Sequence, residues 1–132
     1  MGEITCFLIE DDLDDQEIFL LALQKIGGEI DCKVANNGAE GLEVLADRSF
    51  LPDFIFIDIN MPKMNGIDCL AGIRQLDRLK DTKVIMYSTS SDVKITAQCK
   101  AAGADEVLTK APSIRQLIDS LRTILNVKPN NE

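Results

Sequence analysis

Hydrophobic residues along the chain alternate between short unbroken runs and stretches in which they recur every three or four positions. The short runs at residues 4–9, 54–57, 84–87 and 107–108, together with residues 30–35, where Asp31 and Lys33 interrupt the apolar residues, predict five β-strands. The run at 54–57 reads Phe-Ile-Phe-Ile and contains no polar position. Such a strand is typical of the centre of a parallel sheet, where helices cover both faces.

The stretches with helical spacing predict five helices, one after each strand. Their apolar positions are Ile18, Leu21, Ala22 and Ile26, widened by Phe19, Leu20 and Leu23, in the first; Leu42, Leu45 and Ala46 in the second; Ile67, Leu70, Ile73 and Leu76 in the third; Val93, Ala97 and Ala101 in the fourth; and Ile114, Leu117, Ile118, Leu121 and Leu125 in the fifth. The stripe of the fourth helix is thin. Residues 36–38, Asn-Asn-Gly, are predicted to form a turn and helix start, Ser113 to begin the last helix, and Gly27-Gly28 and Gly103 to end helices.

The alternation of strands and helices predicts an α/β fold. Right-handed crossovers place helices on both faces of a five-stranded parallel sheet. We expect residues 1–132 to form one domain, with a core at about 3–127 and a short polar tail at 128–132. Ligands of such sheets bind beyond the carboxyl ends of the strands, so the polar residues at those ends are the candidate functional residues.

Four of the five predicted strands run directly into polar or charged residues. These are Glu10, Asp11 and Asp12 after the first strand, Asp58 after the third, Ser88 and Thr89 after the fourth, and Lys110 after the fifth. Because parallel strands bring their carboxyl ends to one edge of the sheet, these side chains are expected to meet there. Each residue alone has a plainer interpretation as a surface or strand-end residue, and only the joint placement indicates a site.

The residue types at this edge suit phosphoryl transfer. Asp58 can act as a nucleophile that forms an acyl phosphate, and Lys110 can pair with Asp58 at rest and with a phosphoryl oxygen afterwards. The hydroxyl of Ser88 can donate to another phosphoryl oxygen. Bringing a phosphoryl group to a carboxylate requires a cation, and Mg²⁺ prefers oxygen ligands. The predicted ligands are Glu10, Asp11, Asp58 and the backbone carbonyl of Asn60, with Asp12 and Thr89 as accessory candidates.

The acidic residues between positions 10 and 17 have a second interpretation, because carboxylates are favourable near a helix N-terminus. For Asp14, Asp15 and Glu17 we adopt it and predict a solvated helix start. For Glu10, Asp11 and Asp12 we predict a metal site, because three adjacent acids repel one another without a cation.

Composition narrows the function further. A net charge of −8 argues against direct binding of nucleic acid, whose phosphates are bound by basic patches. The chain has no histidine, which excludes His-based metal sites and catalytic triads. Its four cysteines, Cys6, Cys32, Cys69 and Cys99, are far apart and are predicted to be small core residues in a reducing compartment. Without a run of about 20 apolar residues or a signal peptide, we expect a cytoplasmic protein that does not bind membranes.

These residues resemble the receiver domain of bacterial response regulators over nearly the whole chain. Residues 54–66, FIFIDINMPKMNG, are similar to the phosphoacceptor strand and D-x-x-M-P-x-M-x-G loop of that family, and residues 7–12 to its first strand and acidic pair, Glu10 and Asp11. Ser88 and Lys110 match the family's hydroxyl and lysine positions. The resemblance implies a flavodoxin-like (βα)5 fold with strand order 2-1-3-4-5.

The resemblance also implies how the protein works. The phosphodonor would be a sensor histidine kinase or a histidine phosphotransfer protein, and Asp58 would accept the phosphoryl group with Mg²⁺. The chain would be a self-phosphorylating and self-dephosphorylating switch in a two-component pathway, without enzymatic turnover. Output would come from contact with a downstream protein.

Two positions depart from the family pattern. Ala111 follows Lys110 where the family usually has Pro, and Pro112 comes one position later, which puts the placement of Lys110 in question. Val107 stands where the family tends to have an aromatic residue that changes rotamer on activation. Switching in this chain therefore cannot use a ring at that position.

Two other functions remain open. A receiver fold without a working switch would be a binding module, and Mg²⁺ binding would distinguish it from the switch. A Mg²⁺-dependent phosphohydrolase with Asp58 as nucleophile would want a second aspartate two residues later, where this chain has Asn60, and a cap domain for its substrate.

Overall fold

Five parallel strands form the sheet that the apolar runs predicted. The computed structural model describes residues 3–61, 64–89, 92–110 and 113–127. The strands are β1 (Ile4–Ile9), β2 (Ile30–Ala35), β3 (Phe54–Asp58), β4 (Lys83–Ser88) and β5 (Glu106–Thr109). Neighbouring strands are parallel in the order β2-β1-β3-β4-β5. The predicted fold class and strand order are confirmed. The predicted tail at 128–132 lies outside the described residues.

Five helices connect or follow the strands. They are α1 (Leu13–Ile26), α2 (Gly38–Leu45), α3 (Gly66–Arg74), α4 (Val93–Ala101) and α5 (Ile114–Leu125), and a short 3-10 helix lies at Asp77–Leu79. Each α-helix is preceded by a polar residue whose side chain accepts a hydrogen bond from a backbone N–H of the first turn. These residues are Asp12, Asn37, Asn65, Asp92 and Ser113.

The core lies on both faces of the sheet because side chains alternate along each strand. On β1, Phe7 and Ile9 pack into a cluster with buried residues of α2, α3 and α4. Cys6 and Leu8 point to the other face and pack with buried residues of α1 and α5. All four cysteines are free, and three of them are fully buried, as predicted, with Cys32 half-buried. Within the described ranges, no helix has the length and apolar character needed to cross a membrane.

The predicted apolar stripe of α1 is only partly correct. Its buried residues are Phe19, Ala22, Leu23 and Ile26. Ile18, Leu20 and Leu21 are instead 45%, 38% and 43% exposed. A helix that packs against one sheet face buries only one side, so six apolar residues between positions 18 and 23 cannot all reach the core.

The predicted stripe of α4 is wrong. Val93 is 82% exposed and Ala97 and Ala101 are exposed, whereas Cys99 is fully buried and Ile95 packs against the core. Both sets of positions have helical spacing, so periodicity could not choose between them. The tertiary structure buries the side with the larger apolar side chains, which removes more apolar area from water.

The third helix ends earlier than its apolar positions predicted. Arg74 is its last residue, and the N–H groups of Gln75 and Leu76 donate to the carbonyls of Gly72 and Ile73 in a tightened final turn. Leu76 therefore packs against the core from outside the helix, just before the 3-10 helix.

Candidate functional site

Three of the predicted acidic residues meet at the carboxyl edge of the sheet. β1 and β3 are neighbours with Ile9 opposite Ile57, so the next residues, Glu10 and Asp58, lie side by side. One carboxylate oxygen from each of Glu10, Asp11 and Asp58 lies within 4.8 Å of the others. Glu10 is fully buried and Asp58 is 5% exposed. The fold thus gathers two buried carboxyl groups and the more accessible one of Asp11 at a single place.

The carboxylate of Glu10 is held in place but is only partly satisfied. One oxygen, Oε2, accepts a hydrogen bond of 3.1 Å from the N–H of Asp12, and the carbonyl of Glu10 accepts one of 2.6 Å from Gln16. The other oxygen, Oε1, is buried and lies 3.0 Å from Nζ of Lys110, an ion pair without good hydrogen-bond geometry. Burial raises the pKa of Glu10 to about 7, against the opposing effect of the nearby Lys110 ammonium. Burial likewise raises the pKa of Asp58.

Lys110 brings a positive charge to these carboxylates. Its Nζ lies 2.7 Å from Oδ2 of Asp15, 3.0 Å from Oε1 of Glu10 and 3.7 Å from Oδ1 of Asp58. Burial lowers the pKa of Lys110, but the hydrogen bonds and charges of its acidic neighbours outweigh that effect and raise the pKa above its ordinary value. The ammonium also lies 5.1 Å from the centre of the Tyr87 ring.

The ends of β4 and β5 bring Ser88 and Lys110 to the same edge. Ser88 is the last residue of β4 and is fully buried, and its carbonyl accepts a hydrogen bond of 2.6 Å from the N–H of Lys110. Asp58 is opposite Tyr87 in the strand register, so Ser88 comes one residue beyond it. Thr89 is exposed. The predicted positions of Ser88 and Lys110 beside Asp58 follow from the parallel register, and their chemical roles stay predictions.

The loop between β3 and α3 folds back onto the end of β3. The N–H of Gly66 donates to the carbonyl of Ile59, and the N–H of Ile59 donates to the carbonyl of Tyr87. The N–H of Asn60 donates to Oδ1 of Asp58 over 3.3 Å. Gly66 lies so close to this strand that a Cβ atom there would meet the backbone of Asp58 and Ile59. Pro62, in the middle of the loop, lies outside the described residues.

Two acidic residues have structural roles that the sequence did not indicate. Asp15 lies in the first turn of α1, as predicted, but it is only partly solvated, because its carboxylate pairs with Lys110. Its position in the first turn of the helix that follows directly after the acidic end of β1 was a signal that it could lie near the same edge. Asp12, an accessory metal candidate, uses Oδ1 to accept the N–H of Asp15 at the start of α1 and is not among the clustered carboxylates.

Of the two positions that depart from the family pattern, the structure describes only Val107. Ala111 and Pro112 lie outside the described residues. Val107 is half-buried in β5 opposite Met86 and packs in the cluster that includes α4. The nearest aromatic residue along the edge, Tyr87, is 4% exposed and packs 5.9 Å from the ring of Phe19.

Comparison with known proteins agrees with this geometry. Residues 6–122 match the family model of the response regulator receiver domain. The chain is 30% identical over 112 residues to protein PilG of Pseudomonas aeruginosa, covering 83% of this chain and 82% of PilG. It is 28% identical over 121 residues to the phosphate regulon regulatory protein PhoB of the same organism, covering 92% of this chain but only 51% of PhoB.

The solved structures show the same fold. The chemotaxis response regulator CheY4 of Vibrio cholerae superposes with a TM-score of 0.82 at 23% identity, covering 93% of this chain and 99% of CheY4. The strand order, the clustered carboxylates and the matched family model lead to one conclusion. The chain belongs to the response regulator receiver family.

Proposed function

We propose that this protein is a phosphorylation-dependent switch of a two-component phosphorelay, with Asp58 as the phosphoacceptor. The observation that supports this most directly is the position of Asp58. It ends a buried central strand, with two further carboxylates and the Lys110 ammonium around it. A carboxylate placed in this way can be phosphorylated, and a change of charge there acts on groups from three other strands.

The proposed reaction is one phosphoryl transfer. A carboxylate oxygen of Asp58 attacks the phosphorus of a phosphohistidine donor, forming an O–P bond while the P–N bond breaks and its electron pair leaves on the imidazole nitrogen. Lys110 is 3.7 Å from Asp58, and its ammonium can move to a phosphoryl oxygen, where it offsets the added negative charge. The hydroxyl of Ser88 is proposed to donate to a second phosphoryl oxygen.

The acidic cluster fits a magnesium ion. Glu10 has a buried carboxylate oxygen, Oε1, whose charged neighbour is the Lys110 ammonium at 3.0 Å, and a metal ion could take the place of that ammonium. Oxygens of Glu10, Asp11 and Asp58 lie within 4.8 Å of one another, and the backbone carbonyl of Asn60 is the proposed fourth protein ligand. When bound, Mg²⁺ would offset the charge of the carboxylates and of the incoming phosphoryl group. The chain's own residues hold, orient and receive that group.

Mg²⁺ is expected to raise the melting temperature of the protein, because an ion that binds only the folded state stabilises it. At a concentration about 100 times Kd the gain is about 2.7 kcal/mol, or a shift of about 10 °C. Asp11→Ala should abolish the shift, and Asp14→Ala, which removes an exposed acid from the first turn of α1, should retain it. A full Mg²⁺ response in Asp11→Ala, measured by thermal unfolding, would show that the proposed metal ligands are wrong.

Intact-protein mass spectrometry tests the proposed switch directly. After incubation with Mg²⁺ and acetyl phosphate or phosphoramidate, the wild type should gain one phosphoryl group. Asp58→Asn should gain none, whereas Asp68→Asn, at an exposed acid in the first turn of α3, should behave as the wild type. An adduct that persists in Asp58→Asn would place the phosphoacceptor elsewhere. No adduct on the wild type, together with no Mg²⁺ binding, would favour a binding module with a receiver fold.

The proposed donor in the cell is a sensor histidine kinase or a histidine phosphotransfer protein, and the proposed output is contact with a downstream protein. Receiver domains are signalling switches and not turnover enzymes, as the matched family indicates. This chain spans about half the length of PhoB, so activities of whole relatives are not carried over to it.

A further inference from the structure

Lys110 is held by a carboxylate that has no part in the proposed phosphoryl transfer. Of its three acidic neighbours, the ammonium is closest to Asp15, at 2.7 Å, then to Glu10, at 3.0 Å, and farthest from the proposed phosphoacceptor Asp58, at 3.7 Å. Asp15 is on α1, not on a strand end, and it is not among the clustered carboxylates. The charge that is expected to meet the phosphoryl group is therefore drawn towards a helix in the unphosphorylated protein.

Asp15 is fixed in place by its own helix. Its N–H donates to Oδ1 of Asp12 over 3.0 Å, which anchors the first turn of α1. Phe19 lies one helical turn later on the same side of α1, and its ring packs 4.9 Å from Phe56 and 5.9 Å from Tyr87. Because α1 is held against the sheet in this way, a movement of Lys110 towards Asp58 lengthens its contact with Asp15.

The contact is partly shielded from solvent. The side chain of Lys110 is 13% exposed and that of Asp15 is 34% exposed. Charges in such a place are screened less by water and salt than charges on an open surface. The position of the Lys110 ammonium therefore depends on the relative strengths of its ion pairs with Asp15, Glu10 and Asp58.

An ammonium and a divalent cation compete for the same oxygens in this site. Glu10 and Asp58 are proposed magnesium ligands, and both lie within 4 Å of Lys110. An ammonium that moved fully onto these carboxylates would repel an incoming Mg²⁺ and occupy its ligands. Asp15 offers the ammonium another partner on the side of α1.

We infer that Asp15 is a positioning residue that draws the Lys110 ammonium towards α1 and so weakens its hold on Glu10 and Asp58, which leaves these two carboxylates more available to a divalent cation. The inference rests on the proposed function, because the role of the cation belongs to it. Asp15 is neither a proposed metal ligand nor the proposed phosphoacceptor, but in this inference it influences the affinity of the site for Mg²⁺.

Asp15→Asn isolates this effect because asparagine keeps the shape of the side chain and one acceptor oxygen but loses the charge. Lys110 is then expected to move towards Glu10 and Asp58, and Kd for Mg²⁺ should rise about threefold to fivefold, the scale of one partly exposed ion pair. Asp14→Asn removes the same charge from the same turn of α1. Asp14 is exposed and forms no ion pair with any described residue, so its effect should stay below about twofold.

The experiment is calorimetric titration of Mg²⁺ into the wild type, Asp15→Asn, Asp14→Asn and Asp15→Glu, and into Asp15→Asn combined with Lys110→Met. The glutamate variant should bind within about twofold of the wild type, since it restores the charge. In the Lys110→Met background, Asp15→Asn should change Kd no more than Asp14→Asn does in the wild type, because no ammonium is left to position.

The outcomes separate this inference from the proposed function. If the wild type binds Mg²⁺ and Asp15→Asn and Asp14→Asn change its Kd by the same factor, the inference is overturned and the proposed function is not. An undiminished effect of Asp15→Asn without Lys110 would do the same, since the aspartate would then act directly on the metal. A wild type that binds no Mg²⁺ would overturn both the inference and the proposed metal site, whereas phosphorylation of Asp58 is measured independently by mass.

Discussion

Lys110→Met is expected to slow phosphoryl transfer to Asp58 by about 100- to 1,000-fold, the usual cost of removing one charged or hydrogen-bonding group aimed at the developing charge of a transition state. The ammonium is 13% exposed and is surrounded by Glu10, Asp15 and Asp58, so its charge acts where water screens it poorly. Methionine keeps most of the length and apolar volume of the lysine stem. The expected loss of rate therefore comes from the missing charge more than from changed packing.

The same substitution is expected to tighten Mg²⁺ binding. Removing the ammonium removes the competitor for the oxygens of Glu10 and Asp58, and Kd should fall about threefold to tenfold. Opposite signs for affinity and rate would show that Lys110 assists the phosphoryl group and not the metal. The rates come from mass spectrometry against time at saturating Mg²⁺, with Lys80→Met, at an exposed lysine, as the control. Weaker Mg²⁺ binding in Lys110→Met would contradict the competition between the two cations.

Gly66→Ala is expected to lower the free energy of unfolding by about 3 kcal/mol, the upper range for overpacking a tight site. An added Cβ would lie 2.8 Å from the Cα of Ile59 and closer still to the carbonyl oxygen of Asp58. Both obstacles are backbone atoms, so the strand or the start of α3 must shift. Because the shift acts on Asp58 itself, phosphorylation of the folded variant should slow as well.

Gly72→Ala is the matched control because it makes the same change within the same helix. A Cβ at Gly72 would lie 3.1 and 3.2 Å from the ends of the Leu42 side chain, which can rotate away. Alanine also favours the helix by about 1 kcal/mol over glycine, so the net effect should be small. Urea unfolding of both variants, with equal m-values, measures the difference. If the two variants were equally stable, the close approach of Gly66 to β3 would not matter to the fold.

The sequence by itself was enough to predict the sheet, its strands and the edge where the polar residues meet. The apolar runs are local features, and a parallel sheet brings every strand's carboxyl end to one edge whatever the side chains are. For this reason Glu10, Asp58, Ser88 and Lys110 could be placed together without coordinates. The strand order came from the resemblance to a known family, because hydrophobic pattern alone does not rank neighbouring strands.

Only the tertiary structure decided which sides of the helices are buried and which acid holds Lys110. In α4, the set with Val93 and the set with Cys99 have the same helical period, and contact with the sheet selects the second. Asp15 and Lys110 are 95 positions apart, so their ion pair depends on how α1 packs beside the end of β5. Local pattern reports which elements form and in which direction they run. Pairings across the chain are set by packing that no local segment contains.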